Sequence, residues 1–380
     1  MLELVDSVAR EHFGRRDLQG AQLARAVARL SAIYTGDRTR MPELAGDAEA
    51  LCARLRFFLP RDLPKITAPL FELASVAALP AAGTLRVLDL GAGMGAMALG
   101  AAAVLSERAG VQALHVDAVD SDATALQLAR LLFERWARAQ GLQATFRTHV
   151  QTLRPAGPSA LAGPYDVILL GFVLNELHPA EEGAGAHHAA LLTSLAALLS
   201  PDGVLIALEP ALRPQSRALQ LARGLLLAAG GPPWVFAPCL HAGPCPLLER
   251  EREWCHERLP LALPAPLASI AREAGLRDTD LSYSYLTLCA QPRSLAELAG
   301  REGPAALRVV TAPLRSKGKL ELGVCTDGPA RRLRLLDRHA HADNAALDAS
   351  GRGSLLRLHG PSELRDDALL VAPGAKIVAL

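Results

Sequence analysis

The chain has 380 residues, half of them hydrophobic, with 40 Lys and Arg against 39 Asp and Glu. That length and apolar content can bury a large core and predict two or three domains, while a net charge of +1 excludes a globally basic nucleic-acid binder and leaves any such role to local patches. No apolar run is long enough to span a bilayer, and the N-terminus, with Glu3 and Asp6 and no small-residue cleavage pattern, reads as neither a secretion signal nor a transit peptide, so a cytoplasmic protein with no membrane partner is expected.

Residues 1–80 read as helical, with apolar residues at helical spacing in LARAVARLSAIY and ALCARLRFFL. Prolines at 60, 64 and 69 should break that pattern before a sheet begins. Cys52, inside ALCARL, reads as a small buried apolar residue.

A sheet domain is expected over 81–294. Its opening, RVLDLGAGMGAMALGAAAVLSERAGVQALHVDAVD at 86–120, is a strand, a glycine-rich turn, an alanine-rich helix and a second strand ending on an acid. Val87, Leu88 and Leu90 suit a strand covered on both faces. Gly91, Gly93 and Gly95 let the backbone turn sharply and approach a ligand, and Asp120 at the next strand tip can accept hydrogen bonds from two ribose hydroxyls. This is the first βαβ unit of a doubly wound α/β sheet, whose ligands bind beyond the carboxyl ends of the strands. From Gly91 the run also fits the dinucleotide fingerprint G-x-G-x-x-A. Asp89 argues for the other reading, because an acid two residues before the first glycine repels a pyrophosphate and suits the cationic, phosphate-free S-adenosylmethionine (SAM). The pattern D-x-G-x-G-x-G followed by Asp120 resembles motif I and the acidic loop of class I SAM-dependent methyltransferases.

Residues 144–152 (ATFRTHVQT) supply an intervening strand and a loop over the adenine, with His149 or Val150 nearest the ring. YDVILLGFVLNELHP at 165–179 is an apolar strand running into Asn175, Glu176 and His178, the candidate reaction-side residues: the first two to orient an acceptor, the third to take a proton. For Asn175 and Glu176 a helix-capping or methionine-contacting role is the alternative. NELH is not the Asn-Pro-Pro-Tyr arrangement of adenine and cytosine methyltransferases. LLSPDGVLIALEP at 198–210 gives a strand closing on Glu209, and LSYSYLTL at 281–288 a late strand.

Between those strands, at about 232–262, lies an insertion carrying WVFAPCLHAGPCPLLEREREWCHERLP. Three of the six cysteines fall here, Cys239, Cys245 and Cys255. Close-set cysteines in a cytoplasmic chain are more often metal ligands or redox groups than disulfides. There is no CxxC knuckle, and an iron-sulfur cluster would need a fourth thiolate from Cys289 or Cys325. Spacing alone leaves cluster, zinc and unliganded thiols open.

From about 295 to 380 short alternating strands (LRVVTAPL, KLELGVCT, RRLRLLDR), with turns at Lys317-Gly318 and Asp327-Gly328, predict a small β-domain of OB-like type. Arg308, Arg315, Lys317 and Lys319 lie in a stretch free of acids, a candidate phosphate track for RNA or a solvated strand face.

The order of SAM motif, APCLHAGPCP stretch, WCH, YSYL strand and LRVVTAPLRSKGKLELGVCTDG resembles the bacterial relatives of the mitochondrial small-ribosomal-subunit methyltransferase-like assembly factors, from about residue 30 to the C-terminus. The resemblance implies association with small-subunit rRNA during its maturation, with ribosomal proteins as further partners. It also implies a [4Fe-4S] cluster on Cys239, Cys245, Cys255 and Cys325, with Cys289 ranked second as the fourth ligand. Two functions compete: an rRNA methyltransferase, and a non-catalytic assembly factor that keeps SAM and cluster binding. Methylation of a small molecule or protein is a remoter third.

Overall fold

The computed structural model describes residues 1–36, 40, 44, 46–80, 83–108, 110–154, 161–178, 183–297, 306–326 and 329–380; the turn expected at Asp327-Gly328 lies outside them. The N-terminal region is helical: α1 (Leu2–Phe13), α2 (Gly20–Thr35), α3 (Ala48–Ala53), a π-helical turn over Arg54–Phe58, α4 (Leu59–Asp62), a 3-10 turn over Leu63–Ile66 and α5 (Thr67–Ser75). The prolines do not end the helical run. Pro60 and Pro64 each open a new turn, where a missing N–H has no intrahelical partner to lose.

The large sheet is built from β1 (Thr84–Leu90), α6 (Ala96–Arg108), β2 (Ala113–Asp120), α7 (Ala123–Ala139), β3 (Gln143–Val150), β4 (Tyr165–Gly171), α8 (Leu174–Leu177), α9 (Ala184–Ala196), β5 (Leu199–Pro210), α10 (Arg213–Ala229), β6 (Trp234–Ala237), β7 (Glu257–Pro260), α11 (Ala265–Glu273) and β8 (Asp280–Cys289). Strand order is β3-β2-β1-β4-β5-β8-β6, with β7 also on β8. The first five strands are parallel, and β8 runs antiparallel to β5, β6 and β7. Leu85 and Val87 face one core shared with α6, α7, α1 and α5, while Leu88 and Leu90 face a second shared with α9 and α10. Burial on both faces is why these strands read as continuous apolar runs. The order reverses between β1 and β4, so their carboxyl ends flank a crevice.

The C-terminal sheet holds β9 (Ala306–Val309), β10 (Leu314–Ser316), β11 (Lys319–Cys325), β12 (Arg331–Leu336), β13 (Leu355–His359), β14 (Ser362–Arg365), β15 (Ala368–Val371) and β16 (Lys376–Ala379). Its order is β14-β15-β12-β11-β9-β13-β16, with β10 on β11 and a parallel β12/β15 pair, around an apolar core of its own. Eight strands exceed the five of an OB barrel: four of them, β13–β16, come from residue 355 onward and pair with β9, with β12 and with one another.

A buried ion network ties the parts together. Arg308 on β9 meets Glu72 of α5 at 2.7 Å and Glu257 of β7 at 3.1 Å, and donates to the Tyr285 hydroxyl of β8 at 2.9 Å; that hydroxyl donates in turn to Glu72. The Arg308 side chain is only 4% exposed, which removes it from the RNA-binding candidates: its charge is spent inside the protein. Arg308→Met should lower stability by about 3–5 kcal/mol, since two carboxylates stay buried without their cation, whereas exposed Arg315→Met should change it by less than about 0.5 kcal/mol. Urea midpoints of the two variants check this.

Candidate cofactor-binding site

The hairpin between β1 and α6 stands at the crevice. Gly91 has φ +64° and Gly93 +49°, backbone conformations that side chains disfavour, and a Cβ on Gly91 would run into Val173 Cγ2. Beneath the hairpin Asp89 is fully buried. Its Oδ2 accepts the Ala98 N–H at 3.1 Å, and Oδ1 has no hydrogen-bond partner. Burial, with Asp120 nearby as a smaller cause, pushes its pKa up to about 7. A buried carboxylate oxygen aimed at nothing is a cost that a cationic ligand removes. Asp120 spans the mouth of the site, taking the Gly93 N–H on Oδ2 at 2.8 Å and the Asp122 N–H on Oδ1 at 2.9 Å.

The strand register separates two adenine candidates. His149 pairs with Val119 and faces the same side of the sheet, where its Nε2 meets Asp117 Oδ1 at 3.0 Å. Val150 pairs with Asp120 on the other face and is 62% exposed. Alternation therefore puts Val150 on the same face as Asp120 and His149 on the opposite one.

On the reaction side, Phe172 follows β4 with φ +66°, strained for a non-glycine residue, and the Lys65 ammonium sits 4.5 Å from its ring centroid. Asn175 is turned inward. Its side chain is 2% exposed and donates to the Phe172 carbonyl at 3.0 Å, while Glu209 accepts the Leu174 and Asn175 N–H groups at 2.9 and 3.2 Å. Asn175 thus shapes the turn, and Glu209 caps α8. Glu176 is exposed, and His178 stacks on His187 at 4.6 Å, with burial first and that neighbour second lowering its pKa.

Arg54, Asp122 and Glu209 are the residues that sequence reasoning did not assign to the site. Asp122 carries a local signal, since it is the N-cap of α7 and accepts the Ala125 N–H at 2.9 Å. Arg54 carries none.

Cys245, Cys255 and Cys325 share one buried cluster with Leu247 and Val310, and Cys239 is near enough for its charge to be felt by Cys255 and Cys325. Burial, the larger cause, and this proximity push Cys325 up to about 12. Two cations, Arg223 and Arg308, act on both Cys239 and Cys325. Cys289 packs in the main core beside β5 and β6, and Cys52 lies under Leu18. Among the described residues no group of three or more His, Cys, Asp or Glu side chains is spaced to hold a metal ion.

Of the remaining basic candidates, Lys317 is exposed, Arg315 pairs with Asp348 at 2.7 Å, and half-buried Lys319 pairs with Glu321 at 2.6 Å. No helix among the described residues is long and apolar enough to cross a membrane.

Five parallel strands, an antiparallel β8 inserted between β5 and β6, and a glycine hairpin over a buried acid define the class I SAM-dependent methyltransferase fold. The chain belongs to the family described as mitochondrial small ribosomal subunit Rsm22, whose model matches residues 66–350. Among solved structures it is similar to a SAM-dependent methyltransferase from Clostridium acetobutylicum (17% identity, 39% of this chain and 50% of that one, TM-score 0.26). It is also similar to the plantazolicin methyltransferase BpumL (14%, 71% and 96%, 0.31) and the mitomycin 7-O-methyltransferase MmcR (14%, 68% and 59%, 0.30). The match spans half the length of the Clostridium protein. No curated protein matches the chain.

The raised Asp89 pKa gives a signed pH dependence. Only ionised Asp89 attracts an ammonium, so affinity for S-adenosylhomocysteine should fall as pH drops through about 7. Calorimetric titration from pH 6 to 8 should show this slope, and Asp89→Asn should abolish it.

Proposed function

We propose that this chain is a SAM-dependent methyltransferase of the small ribosomal subunit, acting on its rRNA or during its maturation, in the cytoplasm. The observation that carries the reading is the unpartnered Asp89 oxygen beneath the glycine hairpin, in a chain of a small-subunit family. When bound, SAM supplies an electrophilic methyl group. The chain's part is to hold and orient: Asp89 for the ammonium, Asp120 for the ribose, Gly91 and Gly93 for close backbone approach, and Val150 beside the adenine. Glu176 orients an acceptor, and His178, kept neutral, can accept its proton. Exposed Lys317 and Arg315 contribute phosphate contacts from the C-terminal sheet, and ribosomal proteins are further partners.

The inward Asn175 favours a second reading, a non-catalytic assembly factor that keeps SAM binding, since it takes one polar group away from any acceptor. Mass mapping of small-subunit rRNA from a strain lacking the protein separates the two. The enzyme reading expects one methylated position to be lost; an unchanged map leaves the assembly role alone.

The same proposal assigns a [4Fe-4S] cluster to Cys239, Cys245, Cys255 and Cys325, joining the insertion to the C-terminal sheet, with zinc as the alternative metal. Its support is the shared burial of Cys245 and Cys255 from the insertion with Cys325 from β11, with Cys239 close enough to act on Cys255 and Cys325, beside Arg223 and Arg308. Protein purified without oxygen should contain iron and sulfide and absorb visible light. Cys325→Ser should lose that iron while Cys289→Ser keeps it; a full cluster in Cys325→Ser would overturn the assignment.

A further inference from the structure

Arg54 opens the π-helical turn, a rare backbone element that is frequent at functional sites. Two residues on, Arg56 is locked by Asp6 at 2.8 Å and by Asp17, which fixes the turn. Arg54 is thereby aimed at the glycine hairpin. Its Nη1 donates to Asp122 Oδ2 at 2.8 Å, and its Nη2 stands 3.2 Å from where a Cβ on Gly93 would lie. Asp122 is held in turn by Asp120, the ribose acid, so the guanidinium and the ribose site share one scaffold.

Opposite charges therefore flank the hairpin. Asp89 offers a free carboxylate oxygen from below, and Arg54 offers a guanidinium nitrogen from the other side. The complementary ligand is a zwitterion with ammonium and carboxylate on one carbon, the α-amino-acid end of the donor. We propose that Arg54 is the anchor for that carboxylate, while Asp89 takes the ammonium; this rests on the donor-binding reading above. The planar fork lets Nη1 stay on Asp122 while Nη2 turns to the ligand, a double duty that a lysine point charge cannot perform. The helical N-terminal region then supplies one wall of the cofactor site.

Calorimetry with two ligands tests this: S-adenosylhomocysteine, and methylthioadenosine, which keeps the purine, ribose and thioether but lacks the amino acid. Arg54→Gln should weaken S-adenosylhomocysteine about 30-fold, as expected for loss of one charge-assisted hydrogen bond, and leave methylthioadenosine unchanged; Arg54→Lys should fall between. Equal weakening of both ligands, or of neither, overturns the assignment while wild-type binding of S-adenosylhomocysteine keeps the donor reading. Should the wild type bind neither ligand, the donor reading fails and takes this one with it. If Arg54→Gln does not fold, the carboxamide of S-adenosylhomocysteine on wild-type protein asks the same question. It should bind about 30-fold more weakly than the parent, and equal affinity overturns the anchor.

Discussion

Asp89 sits fully out of water at the end of β1 with one oxygen unbonded, and the surrounding architecture follows from keeping it there. The hairpin above it must be nearly free of side chains, because Val173 and Arg54 already press against Gly91 and Gly93. The α6 N-terminus must lie alongside, because the Ala98 N–H is the carboxylate's one hydrogen bond. A buried acid with no partner on one oxygen costs stability unless a cation meets it.

A second constraint acts at a distance. Arg308 draws α5, β7 and β8 onto the C-terminal sheet, and Cys325 lies directly across from it in the β9/β11 register. The cysteine cluster and the ion network are therefore neighbours at one junction, where the insertion, the N-terminal helices and the C-terminal sheet meet. α5 follows the segment that carries Arg54 after α4 and one 3-10 turn, so a short stretch of chain links this junction to the residue proposed as a wall of the cofactor site.

The β1-α6-β2 unit was legible because its signals are local: an apolar run, glycines at positive φ and an acid at the strand tip lie within 35 consecutive residues. The late strand β8 was legible for the same reason, though its antiparallel direction was not. Arg308 was misread because charge patterning reports sign and not burial, and its partner Glu72 lies 236 positions away. His149 and Val150 are not separable in the sequence, because the face each takes depends on the β2/β3 register. Arg54 sits in an ordinary helical run, and nothing in the local pattern marks the π turn that swings it over the hairpin. The prolines at 60 and 64 look like helix breakers but sit at positions that tolerate them.

The most direct measurement is a crystal structure of the chain grown with S-adenosylhomocysteine. The account predicts density along Gly91–Gly93, with the ribose on Asp120 and the amino-acid end between Asp89 and Arg54. Density instead in the cavity of about 820 Å³ between α9, α10 and the Cys245 loop, with the hairpin still covered by Arg54, would contradict it.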